Sequence, residues 1–504
     1  MNNKNKISKG DSIWEDEVSA PSFPKLIGDV EADVVVIGGG ITGVTTALLL
    51  VEAGKKVVII EAEAIGKGTT GLSSCHLNTD LDNNYAQLFK DFGEETIKIV
   101  AESRIEGINF IEKQVLEKNI DCDFRRVPGY WYSETQDGLD EIREEVKYAS
   151  MAGLNVQWHD NIPLPFKTFG GLEFKHEAEF NSYKYIAQLY STLITTGCKI
   201  FEESRVINVE EEEGKCIVTT TMGKATCSKV VMATHIPLFI NALQTLAPPY
   251  RSYMVTAKLN NDSYPTGLFW DNYDPYYYTR TYEKGGDKFL VVGGADHKTG
   301  SETETEKSYE DLENYVSKRY SVQSFVHRWS AQYYETSDGL PYIGKTPFGD
   351  NVYVATGFSG DGLVYGTIAA IILSDIINGR QNKWAKVYDS TRITPLASAK
   401  DFIKENLEVA KHFVADRFKT EDIDASQIKP GEGKILKHNG EKVAAAKDEL
   451  GTLHILSPVC THMGCYVQWN NSEKSWDCPC HGSRFSVKGE VLEGPAVKPL
   501  DQKS

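Results

Sequence analysis

One segment near the start of the chain restricts the possible fold more than any other. It comprises residues 33–61, DVVVIGGGITGVTTALLLVEAGKKVVIIE. Residues 33–37 form a β-branched run typical of a buried parallel strand, and residues 57–61 form a second one. A helical pattern connects them from Thr42 to Ala53, with Gly54 as its C-terminal stop. Two strands joined by a helix over about 30 residues form a βαβ unit. The segment therefore predicts a parallel sheet of the α/β class.

The turn between the first strand and the helix carries the spacing Gly38-x-Gly40-x-x-Gly43. The first glycine permits a tight turn, the second lets a pyrophosphate approach the backbone, and the third allows close packing of helix on strand. The helix N-terminus offers unpaired N–H groups to the phosphates, and a carboxylate after the second strand can bind ribose hydroxyls. We expect a dinucleotide site at Gly38, Gly40, Ile41, Thr42, Gly43 and Glu61. The alternative is a glycine-rich turn that binds no ligand.

Composition limits the classes of protein to consider. The chain has 504 residues, 41% of them hydrophobic, and a net charge of −17, which is typical of a globular protein with two to four domains. Because non-specific nucleic-acid binding relies on Lys and Arg, we expect no nucleic-acid partner. The N-terminus lacks an apolar signal region, and no stretch of about 18 apolar residues exists. We expect a cytoplasmic protein without a transmembrane segment, and peripheral contact with the inner face of the membrane stays open.

A second glycine-rich segment, ATGFSGDG (residues 355–362), follows a strand pattern and opens an apolar helix pattern over residues 362–377. This pair of glycine segments resembles the flavin-dependent D-amino-acid oxidase, glycine oxidase and sarcosine oxidase superfamily. In that family the first segment binds the ADP half of FAD. The late segment brings a helix N-terminus towards the isoalloxazine ring. The resemblance implies FAD contacts at Gly357, Gly360 and Gly362.

Further segments are similar to the same family. GTTG (residues 68–71) lies where the family's chain passes the flavin, which implies contacts at Thr69 and Thr70. SRVINV (residues 204–209) resembles the strand that meets the adenine through its backbone at Val206. KVVMATH (residues 229–235) resembles a strand that leads to an A-T-G turn, with His235 in place of the glycine. The resemblance over about residues 30–380 implies FAD as a cofactor.

Some members of this superfamily bind the flavin covalently through a His that follows the GTTG-like segment immediately. The matching position here is Leu72, whereas Cys75 and His76 come later, so we expect non-covalent FAD. Arg280 could pair with a substrate carboxylate, and three tyrosines at residues 276–278 could line the pocket. An ordinary sheet with cross-strand aromatic pairs explains these residues better. We assign no catalytic residue.

The last four of the nine cysteines fall within residues 460–480. They belong to the spacing Cys460-x-His462, then, after fifteen residues, Cys478-x-x-His481. Two Cys and two His suit a zinc site, but this spacing resembles the Rieske [2Fe–2S] domain over about residues 430–500. In that family one iron takes two thiolates and the other takes two imidazoles. The resemblance implies a [2Fe–2S] cluster with the ligands Cys460, His462, Cys478 and His481, and a zinc ribbon is the alternative.

The resemblance extends beyond the cluster ligands. Cys465 and Cys480 match two cysteines that form a disulfide between the cluster loops of cytochrome bc-type Rieske proteins. Two free thiols are the alternative in a reducing compartment. Ser483 matches a serine whose hydroxyl donates to a bridging sulfide and raises the reduction potential. Phe485 replaces a tyrosine of the high-potential members, which implies a somewhat lower potential here.

These patterns predict an α/β plus all-β fold. A Rossmann-like FAD-binding domain with an interleaved antiparallel-sheet substrate domain, of the glutathione-reductase-like class, precedes a small Rieske β-sandwich. The expected boundaries are residues 1–30 for an N-terminal lead-in, 31–390 for the flavoprotein, 391–428 for a connecting helix and linker, and 429–504 for the Rieske domain. Within the flavoprotein we expect the FAD-binding part at about residues 31–125, 190–240 and 335–390, with the substrate part between.

The absence of a second GxGxxG turn of proper context favours an organic electron donor over a nicotinamide. We expect a small amine or amino acid, oxidised at a CH–NH bond by a flavin-dependent dehydrogenase. FADH2 would pass electrons through the Rieske cluster to an external acceptor, a small redox protein or a quinone. Two alternatives stay open. Electrons enter at the Rieske cluster and the flavin domain reduces its substrate, or the chain is an electron-transfer module without amine dehydrogenase activity.

Overall fold

The computed structural model describes residues 7–16, 18, 20–260, 266–347, 349–392 and 424–503. The expected connecting helix, between residues 391 and 428, lies almost entirely outside these ranges. Short 3-10 helices occur at Ile13–Glu15, Ala242–Thr245 and Ala425–Gln427. The α-helices of the described ranges are α1 (Ile41–Glu52), α2 (Tyr85–Phe92), α3 (Glu94–Glu117), α4 (Leu139–Ala152), α5 (Ser182–Thr195), α6 (Glu306–Arg319) and α7 (Gly362–Ile377).

The strands follow in chain order. The first nine are β1 (Ser8–Lys9), β2 (Gly28–Glu31), β3 (Val34–Ile37), β4 (Val57–Ile60), β5 (His76–Leu77), β6 (Arg125–Ser133), β7 (Val156–His159), β8 (Gly170–Glu179) and β9 (Lys199–Phe201). The next nine are β10 (Val206–Glu212), β11 (Lys215–Thr220), β12 (Gly223–Cys227), β13 (Lys229–Met232), β14 (Pro249–Leu259), β15 (Leu268–Asp271), β16 (Tyr278–Lys284), β17 (Asp287–Lys298) and β18 (Val322–Tyr334). The last nine are β19 (Tyr342–Lys345), β20 (Val352–Thr356), β21 (Gly433–His438), β22 (Glu441–Lys447), β23 (Leu453–Leu456), β24 (Gln468–Asn470), β25 (Ser475–Asp477), β26 (Arg484–Ser486) and β27 (Val491–Glu493).

A six-stranded sheet in the order β19-β20-β13-β3-β4-β9 forms the centre of the α/β domain. Its strands run parallel except β19, which pairs antiparallel with β20 at one edge. Alternate residues of β3 enter two separate cores, with Val34 and Val36 in one and Val35 and Ile37 in the other. Because both faces are covered, the strand is a continuous apolar run, as the sequence predicts.

Helices α1, α7 and α3 stack on one another beside this sheet. Small residues allow the close approach. A Cβ at Gly366 of α7 would lie 2.5 Å from Thr42 Oγ1, and one at Gly107 of α3 would lie 3.1 Å from Ile368. Since α1 follows β3 and α7 follows β20, both helices begin at the carboxyl edge of the parallel sheet, where such folds bind ligands.

A ten-stranded sheet in the order β1-β18-β14-β17-β16-β15-β6-β8-β5, with β7 paired to β8, stands beside the α/β part. It is antiparallel except for the β1–β18 and β15–β6 pairs. A smaller sheet, β10-β11-β12-β2, flanks the domain. The C-terminal part holds two antiparallel sheets, β21–β23 and β24–β27. The predicted fold class is confirmed, and no helix of the described ranges has the length and apolarity to cross a membrane.

The C-terminal sheets dock onto the ten-stranded sheet through a buried ionic cluster. Arg251 of β14 is 1% exposed and contacts Glu473 at 2.6 Å. Arg484 of β26 contacts the same Glu473, as well as Asp477 at 3.0 Å and Glu493 at 2.5 Å. Glu473 therefore joins one guanidinium from each domain. Charges are tolerated away from water when they are paired in this way.

Replacement of Arg251 should destabilise the docked structure. Arg251→Met leaves Glu473 without its partner from the other domain, and we expect a loss of about 3 kcal/mol, because Glu473 is only partly exposed. Arg380→Met is the control, since Arg380 pairs with Asp375 but is 51% exposed, and surface pairs contribute about 0–1 kcal/mol. Thermal unfolding midpoints measure both changes. Equal shifts in the two variants would contradict the docking role of Arg251.

Candidate functional site

A cavity of about 820 Å³ lies at the carboxyl edge of the central sheet. The turns after β3, β4, β13 and β20 line it, together with parts of the ten-stranded sheet and of the C-terminal domain. Open parallel sheets bind their ligands at this edge, where helix N-termini converge. The structure thus brings both glycine segments of the sequence to one cavity.

The first glycine turn depends on close backbone packing. Gly38 has a φ of +108°, and a Cβ there would overlap the Ala233 carbonyl, while a Cβ on Gly43 would overlap the Gly38 carbonyl. Helix α1 starts after Gly40, which makes no side-chain capping bond. Gly38, Gly40, Ile41 and Thr42 line the cavity, whereas Gly43 lies behind them. A helix N-terminus beside a cavity suits a phosphate group.

Glu61 follows β4 and directs its carboxylate at this turn. Its Oε2 accepts a hydrogen bond from Gly39 N at 2.6 Å, and its Oε1 accepts one from Glu63 N at 2.9 Å. Burial raises the pKa of Glu61, whereas these N–H donors and Arg205 act to lower it. An accepting carboxylate at the cavity wall is suited to a ribose hydroxyl.

Thr69, Thr70 and Val206 also line the cavity. Thr70 Oγ1 accepts from Ile41 N at 3.0 Å, which ties the GTTG segment to the start of α1. Thr69 Oγ1 lies 3.3 Å from His235 Nδ1. Val206, 3% exposed, begins β10. Segments far apart in the sequence therefore meet along one side of the cavity.

The late glycine segment lines another part of the same cavity. Gly360 and Gly362 line the cavity, and Gly360 N donates to Asp82 Oδ2 at 2.6 Å. Gly357 lies behind the lining with a φ of +76°, and a Cβ there would overlap the Thr336 side chain. The turn therefore needs a glycine at position 357 for its backbone geometry, and Asp82 holds the turn in place.

Two buried charges next to the late glycine segment were not anticipated. Arg104 of α3 contacts Asp361 at 3.0 Å, with the two side chains 0% and 6% exposed. Burial raises the pKa of Asp361, and the Arg104 guanidinium acts to lower it. Asp361 lies within the recognised ATGFSGDG motif, but no local pattern marks Arg104, which is one of many charged residues in its helix.

Of the three residues Cys75, His76 and Arg280, only His76 lines the cavity. Cys75 is buried, with its Sγ 3.2 Å from Ser182 Oγ. His76 lines the cavity, and burial lowers its pKa to about 3. Arg280 contacts Glu179 at 3.2 Å and donates to the carbonyl oxygens of Cys75 and Phe180. Arg280 is therefore engaged within the fold and is not free to bind a substrate carboxylate.

The tyrosines at residues 276–278 divide between two environments. Tyr276 and Tyr278 line the cavity, so these two residues have the pocket-lining position that was considered from the sequence. Tyr277 stacks on Tyr315 at 4.2 Å, as an ordinary sheet residue does. Successive residues of an extended chain point to opposite sides, and this accounts for the division.

The second site lies in two loops of the C-terminal domain. A hydrogen bond from Cys478 lowers the pKa of Cys460, so the two sulfurs lie side by side. The rings of His462 and His481 are 4.9 Å apart and nearly perpendicular, at 87°. Burial lowers the pKa of both imidazoles, to about 4 for His481. Two thiols and two neutral imidazoles are the donors that a Rieske cluster takes.

The groups around these four side chains agree with that donor set. Cys465 and Cys480 form a disulfide with a Cα–Cα distance of 6.5 Å, close to Cys478. Disulfide sulfurs are not thiolate ligands, which leaves Cys460 and Cys478 as the candidate sulfur donors of these loops. Ser483 hydrogen-bonds to Cys460 and accepts from Ala496 N at 3.0 Å. Its hydroxyl is therefore directed at the sulfur side of the site.

The imidazole side of the second site faces the flavin domain. His462 Nε2 donates to the Phe239 carbonyl oxygen at 3.1 Å. Because a carbonyl oxygen only accepts, Nε2 carries the hydrogen, and Nδ1 keeps the lone pair that a metal requires. No sequence pattern marks Phe239 for this contact.

Gln332 of β18 connects the two sites. Its Nε2 donates to the Gly482 carbonyl oxygen at 3.0 Å and to Tyr334 Oη at 2.8 Å. Its backbone carbonyl oxygen accepts a hydrogen bond from Thr69 Oγ1 at 3.5 Å. The rings of Tyr334 and His235 pack edge to face at 4.8 Å. One buried layer thus separates the GTTG segment from a cluster loop.

Comparison with known proteins assigns both sites to families. Residues 33–376 match the FAD dependent oxidoreductase family, and residues 419–503 match the Rieske [2Fe-2S] domain. The chain belongs to the FAD dependent oxidoreductase family and carries a C-terminal Rieske domain. Its cofactors are accordingly FAD and a [2Fe–2S] cluster. The glycine turn at the start of α1 and the paired Cys and His side chains fit these groups.

Individual relatives agree with this assignment. The Bacillus subtilis (strain 168) protein YhfW, named as a Rieske 2Fe-2S iron-sulfur protein, is 32% identical over 98% of this chain and 97% of its own. Gamma-glutamylputrescine oxidoreductase of Escherichia coli (strain K12) is 22% identical over 71% of this chain and 86% of its own. Glycine oxidase from Geobacillus kaustophilus superposes with a TM-score of 0.61 at 16% identity, over 72% of this chain and 99% of that one.

The packing role of Gly43 is testable. Gly43→Ala forces α1 away from the glycine turn, so we expect a several-fold lower ratio of FAD to protein after purification. Gly54→Asn at the other end of α1 is the control, because a Cβ there meets nothing within 4 Å and Asn tolerates its φ of +83°. Flavin absorbance per chain measures the result. A normal FAD content in Gly43→Ala would contradict the packing argument.

The sulfur donors are testable by metal content. Cys478→Ser should abolish the Rieske EPR signal and leave iron near zero, because a serine hydroxyl is a poor replacement for a thiolate. Cys198→Ser, at a half-buried cysteine outside both sites, should keep the full signal. Iron and zinc are quantified in both proteins. A persistent signal in Cys478→Ser, or zinc in the unmutated protein, would refute the ligand assignment.

Proposed function

We propose that the protein oxidises a small amine or amino acid at the C–H bond next to nitrogen, and that electrons pass within the chain from FADH2 to the Rieske cluster and then to an external acceptor. That acceptor is a small redox protein or a quinone. Gly38, Gly40, Ile41, Thr42, Glu61, Thr69, Thr70 and Val206 hold FAD without a covalent bond, with Gly43, Gly357, Gly360 and Gly362 shaping its site. Cys460, His462, Cys478 and His481 hold the cluster.

Bound FAD supplies a two-electron acceptor for hydride, and the cluster supplies a one-electron carrier. In the net reaction the substrate loses two electrons and two protons, and its C–N single bond becomes an imine. Water hydrolyses the imine to a carbonyl compound and an amine or ammonia. Two equivalents of a one-electron acceptor, or one quinone, complete the balance.

The contact made by Gln332 carries the proposal that the electrons stay within the chain. It bonds to a cluster loop through its side chain and contacts Thr69 through its carbonyl oxygen. Gln332 and Tyr334 are each 1% exposed, so this layer is shielded from bulk solvent. The His462–Phe239 hydrogen bond also turns an imidazole donor towards the flavin domain. These contacts support electron transfer within the chain over two sites that act independently, and the test below distinguishes its direction.

The names of relatives support the substrate class. Gamma-glutamylputrescine oxidoreductase and glycine oxidase are named for an amine and for an amino acid. Both substrates have a C–H bond beside nitrogen. The Tyr276 and Tyr278 side chains at the cavity provide an apolar wall beside which such a carbon can be held away from bulk water.

The test is anaerobic mixing of the holoprotein with a panel of amines and amino acids. We expect at least one compound to bleach the flavin and then to produce the EPR signal of the reduced cluster. Bleaching without that signal would contradict internal transfer. In a second experiment the cluster is photoreduced first. If the flavin then becomes reduced as fast as the cluster does after substrate addition, the reverse direction is favoured. A panel that never bleaches the flavin would contradict the dehydrogenase assignment.

The role of Gln332 has its own test. Gln332→Met keeps the side-chain length but removes the bonds to Gly482 and Tyr334, so we expect flavin-to-cluster transfer after a light flash to slow at least about tenfold. Flavin content should stay normal. Gln157→Met on the exposed strand β7 is the control. An unchanged transfer rate in Gln332→Met, with the cluster intact, would show that this contact does not couple the sites.

A further inference from the structure

The wall of the cavity beyond the two glycine segments is acidic and aromatic. Asp80, Asp82 and Asp296 lie on it, as do Trp131 and Trp270. Tyrosines complete the same wall, namely Tyr276, Tyr278 and Tyr333. Aromatic rings beside carboxylates are the surroundings in which proteins bind organic cations.

Asp82 and Asp296 are each held in place by hydrogen bonds. Asp82 accepts from Gly360 N at 2.6 Å and from Tyr276 Oη at 3.2 Å, so its carboxylate adjoins the late glycine segment. Asp296 accepts from Tyr333 Oη at 3.1 Å. The donors are an N–H group and phenols, none of which neutralises a negative charge.

The charge of these two carboxylates is compensated only in part, since burial raises the pKa of Asp82 and the nearby Arg104 guanidinium acts to lower it. Neither Asp82 nor Asp296 forms an ion pair with a Lys or Arg of the described ranges, and Asp296 Oδ1 is buried without a hydrogen-bond partner there. Burial raises the pKa of Asp296 to about 7, with the Asp82 carboxylate acting in the same direction and hydrogen bonds from Ser252 and Tyr333 acting against it. Two like charges that face one cavity repel each other unless a cation lies between them.

The cationic side chains of the described ranges that line the cavity lie elsewhere. Lys67 and Arg205 flank the first glycine turn and pair with Glu15 and Glu63. Arg484 belongs to the docking cluster and contacts three carboxylates. No Lys or Arg of these ranges is left on the acidic wall to receive a substrate carboxylate.

We propose that the substrate is an amine cation without a carboxylate near its nitrogen, bound with its ammonium group between Asp82 and Asp296 and its carbon chain against Tyr276 and Tyr278. This inference rests on the proposed function and selects amines over amino acids. Ionised carboxylates attract the ammonium, whereas the carboxylate of an amino acid meets the same negative wall without a partner. The amine becomes neutral before its C–H bond breaks, and its proton leaves to solvent.

The test uses equilibrium binding, which needs no turnover. Isothermal titration of the oxidised holoprotein compares n-butylguanidinium, a cation that resists this oxidation, with pentanoate, a carboxylate of similar size. We expect saturable binding of the cation and at least tenfold weaker binding of pentanoate. Tighter binding of pentanoate, or no binding of the cation, would overturn the proposal. This comparison uses the unmutated protein, so its outcome does not depend on whether a variant folds.

Variants locate the cation. Asp82→Asn and Asp296→Asn keep hydrogen-bond acceptors but remove charge, and each should weaken n-butylguanidinium binding about tenfold or more. Asp311→Asn, on the exposed side of α6, should leave binding unchanged. Unchanged binding in both cavity variants would overturn the proposal. If cations bind as expected but amines never bleach the flavin, the binding site stands and the proposed dehydrogenase function fails.

Discussion

The close approach of three backbone segments at the carboxyl edge of the central sheet underlies the rest of the molecule. The turn after β3 passes against Ala233, and α1 packs against the Gly38 carbonyl. Neither approach tolerates a Cβ, so glycine at positions 38 and 43 brings strand, turn and helix into one compact edge. The cavity exists because α1 and α7 both begin at this edge. The contacts proposed between FAD and the two glycine segments follow from their common starting point.

The docked C-terminal domain forms the remaining side of that cavity. Arg251 and Arg484 approach Glu473 from the two domains, and the pKa of Glu493 is lowered because the Arg484 and Arg251 charges outweigh burial. Such pairs are costly to break rather than strongly stabilising, so they define one arrangement of the domains more than they add to stability. The Gln332 and Phe239 contacts then place the loop of the imidazole donors against the flavin domain. The packing of the two domains against each other therefore determines the relative position of the two sites.

Sequence patterns predicted the features whose determinants are close together in the chain. The DVVVI strand, the glycine turn and the Cys and His spacing each occupy a few consecutive residues, and the predicted fold class is confirmed. The acidic wall could not be predicted from the sequence, because its residues meet only through tertiary structure. Asp82 and Gly360, for example, are 278 positions apart. Arg280 shows a related difficulty. The sequence around a lone arginine in a strand does not indicate that a buried carboxylate, here Glu179, already pairs with it.

Covalent continuity between the two domains changes the kinetic order of their encounter. Separate redox proteins meet by diffusion, and their charged surfaces make association weaken with salt. Here the docking charges are mostly buried and the partners share one chain, so the local concentration of one domain near the other is independent of dilution. In the proposed reaction, electron exchange between the two domains is then unimolecular. Dilution and salt would affect the encounter with the proposed outside acceptor, and not the encounter of the two centres with each other.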